Sequence, residues 1–291
     1  MVLLKYLKYT TTEYEGVCKM PQSDRCSIKL NQRIYGLYST QGLKVLKKLL
    51  NSLMKHIRIH VLEYFIESDG WVKVSLEGED LEVALNILST VIGILPETYL
   101  DVSKGRILKC RVLTIKENGL YVDAGLKNIT VTVPATILKS QVFDGCDVPV
   151  EKLENLYMLY RDFPVELYVR DVHKGEVICA LSWRWLNWIE EIAFSGLGRI
   201  YIAGIDLDTV ESVIGGKTYR DYVLDCIHLG VLEVLLLVDP LVNPYDLSNN
   251  IGRILKPSIL MSSKPFKGFR KLSYTFQDEV WFNTAPPFQI P

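Results

Sequence analysis

The residues best suited to chemistry lie towards the C-terminal end of the sequence. Lys256, Lys264, Lys267, Arg270 and Lys271 are threaded with Phe266, Phe269 and Tyr274, and no acid occurs between Asp246 and Asp278. Cations neutralise phosphates while aromatic rings stack on unpaired bases, the combination that single-stranded nucleic acid binding requires. The surrounding Ser, Pro and Gly predict a surface loop. The same residues also suit a tail whose Phe266 and Phe269 pack on their own domain, and both readings stand. A second basic patch, Lys44, Lys47, Lys48, Lys55 and Arg58, falls largely on the polar side of an expected helix, where a solvated face is the commoner explanation.

Other motifs carry less. Gly215-Gly216-Lys217-Thr218 resembles the end of a phosphate-binding loop, but Glu211 stands where the pattern needs glycine and the stretch follows a helix, so a turn is expected. His56 and His60 lack a nearby third ligand, and no nucleophile-elbow or zincin motif occurs. The six cysteines show no Cys-x-x-Cys spacing; Cys110 and Cys179 read as small core residues, while Cys18 and Cys26 could pair across a turn. No enzyme activity, cofactor, metal or small-molecule substrate is expected.

Composition sets the frame. A chain of 291 residues with 48% hydrophobic content should hold two or three packed domains. A formal net charge of −1 gives no global attraction to nucleic acid or acidic membranes, so electrostatics must act through local patches. Lys5 and Lys8 interrupt the first apolar residues, and Val231 to Val238 is far too short to span a bilayer. A cytoplasmic protein with no membrane partner is expected.

The elements that position chemistry centre on Gly105 to Ser182. Ile107 to Ile115 and Leu120 to Asp123 read as strands joined at Asn118-Gly119, a strong hairpin signal. Ile129 to Val133 follows, and Val165 to Val172 with Glu176 to Leu181 form a second hairpin across Lys174-Gly175. Five strands with a longer irregular insert after the third suit a Greek-key barrel of the OB type.

These residues resemble the S-one domain, the RNA-binding OB barrel of ribosomal, exosome and polynucleotide-phosphorylase proteins. Gly105, Ile107, Cys110, Val112 and Ile115 fit its first strand, Gly119-Leu120-Tyr121-Val122 its second, and Gly175-Glu176-Val177-Ile178 its last hairpin. The resemblance implies that Tyr121 offers its ring to a base; packing in the barrel wall is the other reading. Two departures stand out: Pro134 replaces a common histidine, and Glu176 replaces a common arginine and would repel phosphate. The whole chain is also similar to an uncharacterised archaeal family with such a barrel at its centre, which names no activity.

Both flanks show the order strand, helix, hairpin, helix, strand, the split βαβ or ferredoxin-like plan. In the first, an expected strand at Cys26 to Tyr35 precedes a helix over Thr40 to His56, a hairpin at Asp69-Gly70, a helix from Glu79-Asp80 and a strand over Ile94 to Val102. Val2 to Tyr9 reads as a further strand. After the barrel, Trp183 to Phe194 predicts a helix whose Trp183, Trp185 and Trp188 are better suited to packing than to base stacking. The last flank expects a strand at Arg199 to Ala203, a helix at Asp206 to Ile214, a hairpin turning at His228-Leu229-Gly230, a helix at Tyr245 to Leu255 and a strand at Leu272 to Phe276. The expected fold is therefore α+β, a central five-stranded OB-type barrel (103–183) between two ferredoxin-like units (1–102 and 184–291). The expected function is non-catalytic binding of single-stranded or ribosomal RNA in translation or RNA processing. The alternative is a protein-interaction scaffold or accessory factor of the ribosome or RNA polymerase. The candidate RNA contacts are Tyr121, Lys109 and Lys127 with Lys264, Phe266, Lys267, Phe269, Arg270 and Lys271.

Overall fold

The structure, a computed structural model, describes residues 25–35, 39–142 and 150–265. Its first unit contains β1 (Arg25–Arg33), α1 (Ser39–Leu53), β2 (His60–Ile66), β3 (Trp71–Glu77) and α2 (Leu81–Val91). The strands form an antiparallel sheet in the order β1-β3-β2. Leu46 and Leu50 of α1 and Ala84 and Leu88 of α2 are buried with Ile28, Leu30, Val74 and Leu76 of the sheet, as their spacing requires. The hairpin turns at Asp69-Gly70, where Gly70 takes φ +91°.

The expected fourth strand of this unit is cut short. Ile94 makes one bridge to Leu30, flanked by hydrogen bonds from Asn31 N to Gly93 O (2.9 Å) and from Leu95 N to Lys29 O (2.8 Å). Pro96 follows and has no N–H to continue the ladder, and the chain turns into a 3-10 helix at Tyr99–Asp101. The residual bridge still lies outside β1, so the split βαβ arrangement is kept.

The barrel comprises β4 (Ile107–Lys116), β5 (Gly119–Asp123), β6 (Thr130–Pro134), then α3 (Ala135–Val142) and α4 (Val150–Leu156), then β7 (Pro164–His173) and β8 (Glu176–Leu181). It closes in the order β4-β5-β6-β8-β7, with β6 and β8 parallel and the other neighbours antiparallel. This is OB topology. Alternate residues such as Leu108, Cys110, Leu120, Val122, Val131 and Cys179 fill the interior. Burial pushes the Cys110 thiol up and the Cys179 thiol up to about 12, in keeping with core roles. The insert after β6, expected to be irregular, carries two short helices before an irregular stretch over 157–163; Leu138 and Val142 at helical spacing turn one face of α3 into the core.

Ser182 caps α5 (Trp183–Phe194), its hydroxyl accepting from Trp185 N at 3.1 Å. Trp185 and Trp188 are buried, and Trp185 Nε1 donates to Pro164 O at 3.1 Å. Packing thus takes two of the three indoles, while Trp183 is 61% exposed.

The last unit contains β9 (Gly198–Ala203), α6 (Leu207–Ile214), β10 (Val223–Gly230), β11 (Glu233–Val238), α7 (Pro244–Leu255) and β12 (Ile259–Ser263), with sheet order β10-β11-β9-β12, all antiparallel. Two expectations are corrected. The strand that completes the sheet is Ile259–Ser263, in a stretch expected to be loop; its apolar Ile259-Leu260-Met261 pairs with the fully buried β9 despite the Ser, Pro and Lys around it. Leu272 to Phe276 lies outside the described residues, as do Val2 to Tyr9 and Cys18. The hairpin turns at Val231-Leu232, not at His228-Leu229-Gly230. This apolar tip is buried in the core of the first unit. Val231 N donates to Gln32 Oε1 at 3.0 Å, and a Cβ on Gly42 would stand 2.7 Å from Leu232 Cδ1. No helix among the described residues is long and apolar enough to cross a membrane.

Candidate nucleic-acid interface

Three pieces of the barrel meet in a shallow groove of about 490 Å³. The β4–β5 hairpin contributes Asn118, Gly119 and Tyr121; β6 contributes Thr130, Thr132 and Pro134; the β7–β8 hairpin contributes Lys174, Gly175 and Glu176. These are the second and third strands and the two loops through which OB barrels take nucleic acids and sugars. Local sequence explains the convergence. Gly119 (φ +145°) lets β5 approach β6 so closely that a Cβ there would lie 2.3 Å from Val133 O. Leu120 and Val122 point inward, so Tyr121 points out by strand alternation.

The Tyr121 ring is half-buried, with contacts at its hydroxyl and over its face. Asn118 Nδ2 donates to its Oη at 2.6 Å, and Lys116 Nζ lies 5.6 Å from the ring centroid. Thr132 stands opposite Tyr121 in register, and its hydroxyl reaches Glu176 Oε1 at 3.5 Å. Glu176 is exposed, and no cation pairs with it among the described residues. The groove therefore offers a ring, Lys116 and Lys174 near its rim, and one carboxylate. Tyr121, Pro134 and Glu176, singled out separately in the sequence, lie in this one place.

The other candidates among the described residues lie off the groove. Lys109 faces Glu166 across β4 and β7; burial pulls its ammonium below the usual range, while Glu166 acts against that shift. Lys127 is exposed but pairs with Glu67 at 3.2 Å. Lys264 is exposed just after β12, its Nζ 5.3 Å from the Tyr245 ring centroid. Phe266, Lys267, Phe269, Arg270 and Lys271 lie outside the described residues. On α1 and its flank, Lys44, Lys47, Lys48 and Lys55 are solvent-facing, Lys47 sits 4.8 Å from the Tyr64 ring centroid, and Arg58 pairs with Glu79 and Asp80. No group of three or more His, Cys, Asp and Glu suited to a metal occurs among the described residues.

One polar cluster escaped the sequence reading. Arg111 on β4 meets Glu233 on β11 at 3.1 Å, and the Tyr35 hydroxyl donates to the same carboxylate oxygen at 2.8 Å. All three units thus contribute to one buried knot. Burial opposes the Arg111 charge most strongly, but Glu233, Tyr35, Tyr201 and Asp162 together outweigh it and raise its pKa; burial, reinforced by Glu233, raises that of Tyr35. Nearby, Arg33 pairs with Asp162, and the Tyr201 hydroxyl donates to Asp162 O at 3.1 Å. The available signal was a lone acid, Glu233, inside the apolar run Val231 to Val238. The cluster fastens units together and offers no exposed reactive group.

Residues 27–97 match the family model of the DUF2110 N-terminal domain. They run from β1 to just beyond α2. Among solved structures the chain is similar to the solution structure of GSP13 from Bacillus subtilis, at 12% identity and a TM-score of 0.19 over 30% of this chain. That match spans 58% of the GSP13 chain, less than two thirds of its length. No curated protein matches the chain.

Proposed function

We propose that this protein binds single-stranded RNA in the cytoplasm, without catalysing a reaction on it, and serves translation or RNA processing. The observation that carries this reading is the outward Tyr121 ring, fixed by Asn118 and Lys116 in the groove between the two barrel hairpins. A ring so placed suits base stacking, which tolerates any base because every base has a π-face. Lys116 and Lys174 supply charge for the flanking phosphates, and Lys264, Lys267, Arg270 and Lys271 add cations to the same surface or to an adjacent one.

The test is a titration of unstructured oligoribonucleotides at several salt concentrations. Salt-dependent affinity that falls when Tyr121 is replaced by Ala supports the reading; absence of binding to the wild-type chain refutes it. A second reading, a barrel that docks a protein of a larger assembly, is favoured by the apolar pair Ile107 and Tyr168, which lie opposite each other on β4 and β7 and are 40% and 36% exposed. Replacing Ile107 and Tyr168 should leave RNA affinity unchanged if the groove is the RNA site.

A further inference from the structure

Glu176 is the feature of the groove that phosphate binding does not explain. A carboxylate repels a phosphate, yet this one is exposed on the groove and has no cationic partner among the described residues. Its placement beside the ring is set by the ladder. Tyr121 is opposite Thr132, Thr130 is opposite Glu176, and the Thr132 hydroxyl reaches Glu176 Oε1 at 3.5 Å. Directly opposed strand neighbours have Cβ atoms about 5 Å apart, so the edge of a base stacked on Tyr121 falls within reach of the Thr132–Glu176 side of the groove.

We propose that Glu176 reads the edge of that base and makes the groove selective for guanine. This rests on the RNA reading above. An ionised carboxylate only accepts hydrogen bonds and has two oxygens side by side. Guanine presents two adjacent donors on one edge, N1–H and the N2 amine, which match those oxygens. Adenine and cytosine each present a single amine there, and uracil sets its one N–H between two carbonyl oxygens that the carboxylate repels. Charge-assisted, two-point bonds are the stronger and more directional kind. The preference should run guanine, then adenine and cytosine, then uracil. Phosphates are thereby steered away from Glu176 and towards Lys116 and Lys174.

The experiment titrates the full chain, at one moderate salt concentration, with fluorescent uridine octamers carrying a single central guanosine, inosine, adenosine, cytidine or uridine. Inosine lacks only the N2 amine of guanosine. The guanosine octamer should bind roughly tenfold more tightly than the inosine octamer, and Glu176→Gln should bring the two together. Glu176 is exposed, and the guanosine–inosine comparison needs no variant, so misfolding cannot imitate the result. Equal binding of all five octamers would overturn base reading by Glu176 and leave the RNA reading standing. Failure of the wild-type chain to bind any of them would overturn both.

Discussion

Arg111 and Glu233, separated by more than a hundred residues in sequence, meet through Nη2 and Oε1 at 3.1 Å with 1% and 0% of their side chains exposed. Removing one member of such a pair leaves a charge without water or partner. Glu233→Leu should therefore lower stability by about 3–5 kcal/mol. The double change Arg111→Met with Glu233→Leu should recover much of that loss. Urea unfolding of the two variants and the wild type makes the comparison, and additive losses would contradict it.

Gly230 lies against the same carboxylate. A Cβ there would stand 1.9 Å from Glu233 Oε2, so Gly230→Ala must displace that side chain. A loss of about 1–3 kcal/mol is expected from the forced rearrangement. In a Glu233→Ala background the same change should cost far less, a coupling that a double-mutant unfolding cycle measures.

Tyr121→Ala should weaken binding of unstructured RNA by about 1–3 kcal/mol, with little change in salt slope. Tyr121→Phe should retain most of the affinity. Lys116→Ala and Lys174→Ala should each flatten the slope of log affinity against log salt by about 0.7 for every phosphate left without its cation. Glu176→Arg should steepen the slope and raise affinity for uridine oligomers. A Tyr121→Ala variant that binds like the wild type would remove the stacking assignment.

His228 on β10 gives a pH test of the fold. Burial lowers its pKa below 6.5, while Glu233, Glu211 and Asp208 act in the opposite direction. The unfolded chain then binds the proton more readily than the folded one, so stability falls as pH drops below about 6.5 towards the folded pKa. Above 6.5 both states are neutral and the residue contributes no pH dependence. His228→Phe should reduce the loss of stability below about pH 6.5, followed as melting temperature against pH; an unchanged profile would contradict it.

Local chemistry made much of this fold legible. Asn118-Gly119 and Lys174-Gly175 marked the hairpins that now border the groove, and hydrophobic spacing marked the helices of both flanks. What was hidden depends on distant partners. Lys109 and Lys127 read as available cations because Glu166 and Glu67 are remote in sequence. His228-Leu229-Gly230 looked like a turn because glycine often makes turns, whereas Gly230 makes room for a carboxylate and the turn itself is apolar. Ile259–Ser263 was obscured because a short strand against a buried edge needs only a few apolar residues.

The Val231-Leu232 tip has a consequence for synthesis on the ribosome. Growing chains usually complete an N-terminal domain before the next one emerges. Here two residues of the first unit's core, Val231 and Leu232, are translated well over a hundred residues after the rest of it. The nascent first unit is therefore expected to keep an apolar notch open beside Ile34 and Gly42 until the last sheet arrives. Stalled nascent chains ending before and after residue 232 would report this as a late gain in protease resistance of the first unit, and resistance already complete in the shorter chains would show that the notch closes without the tip.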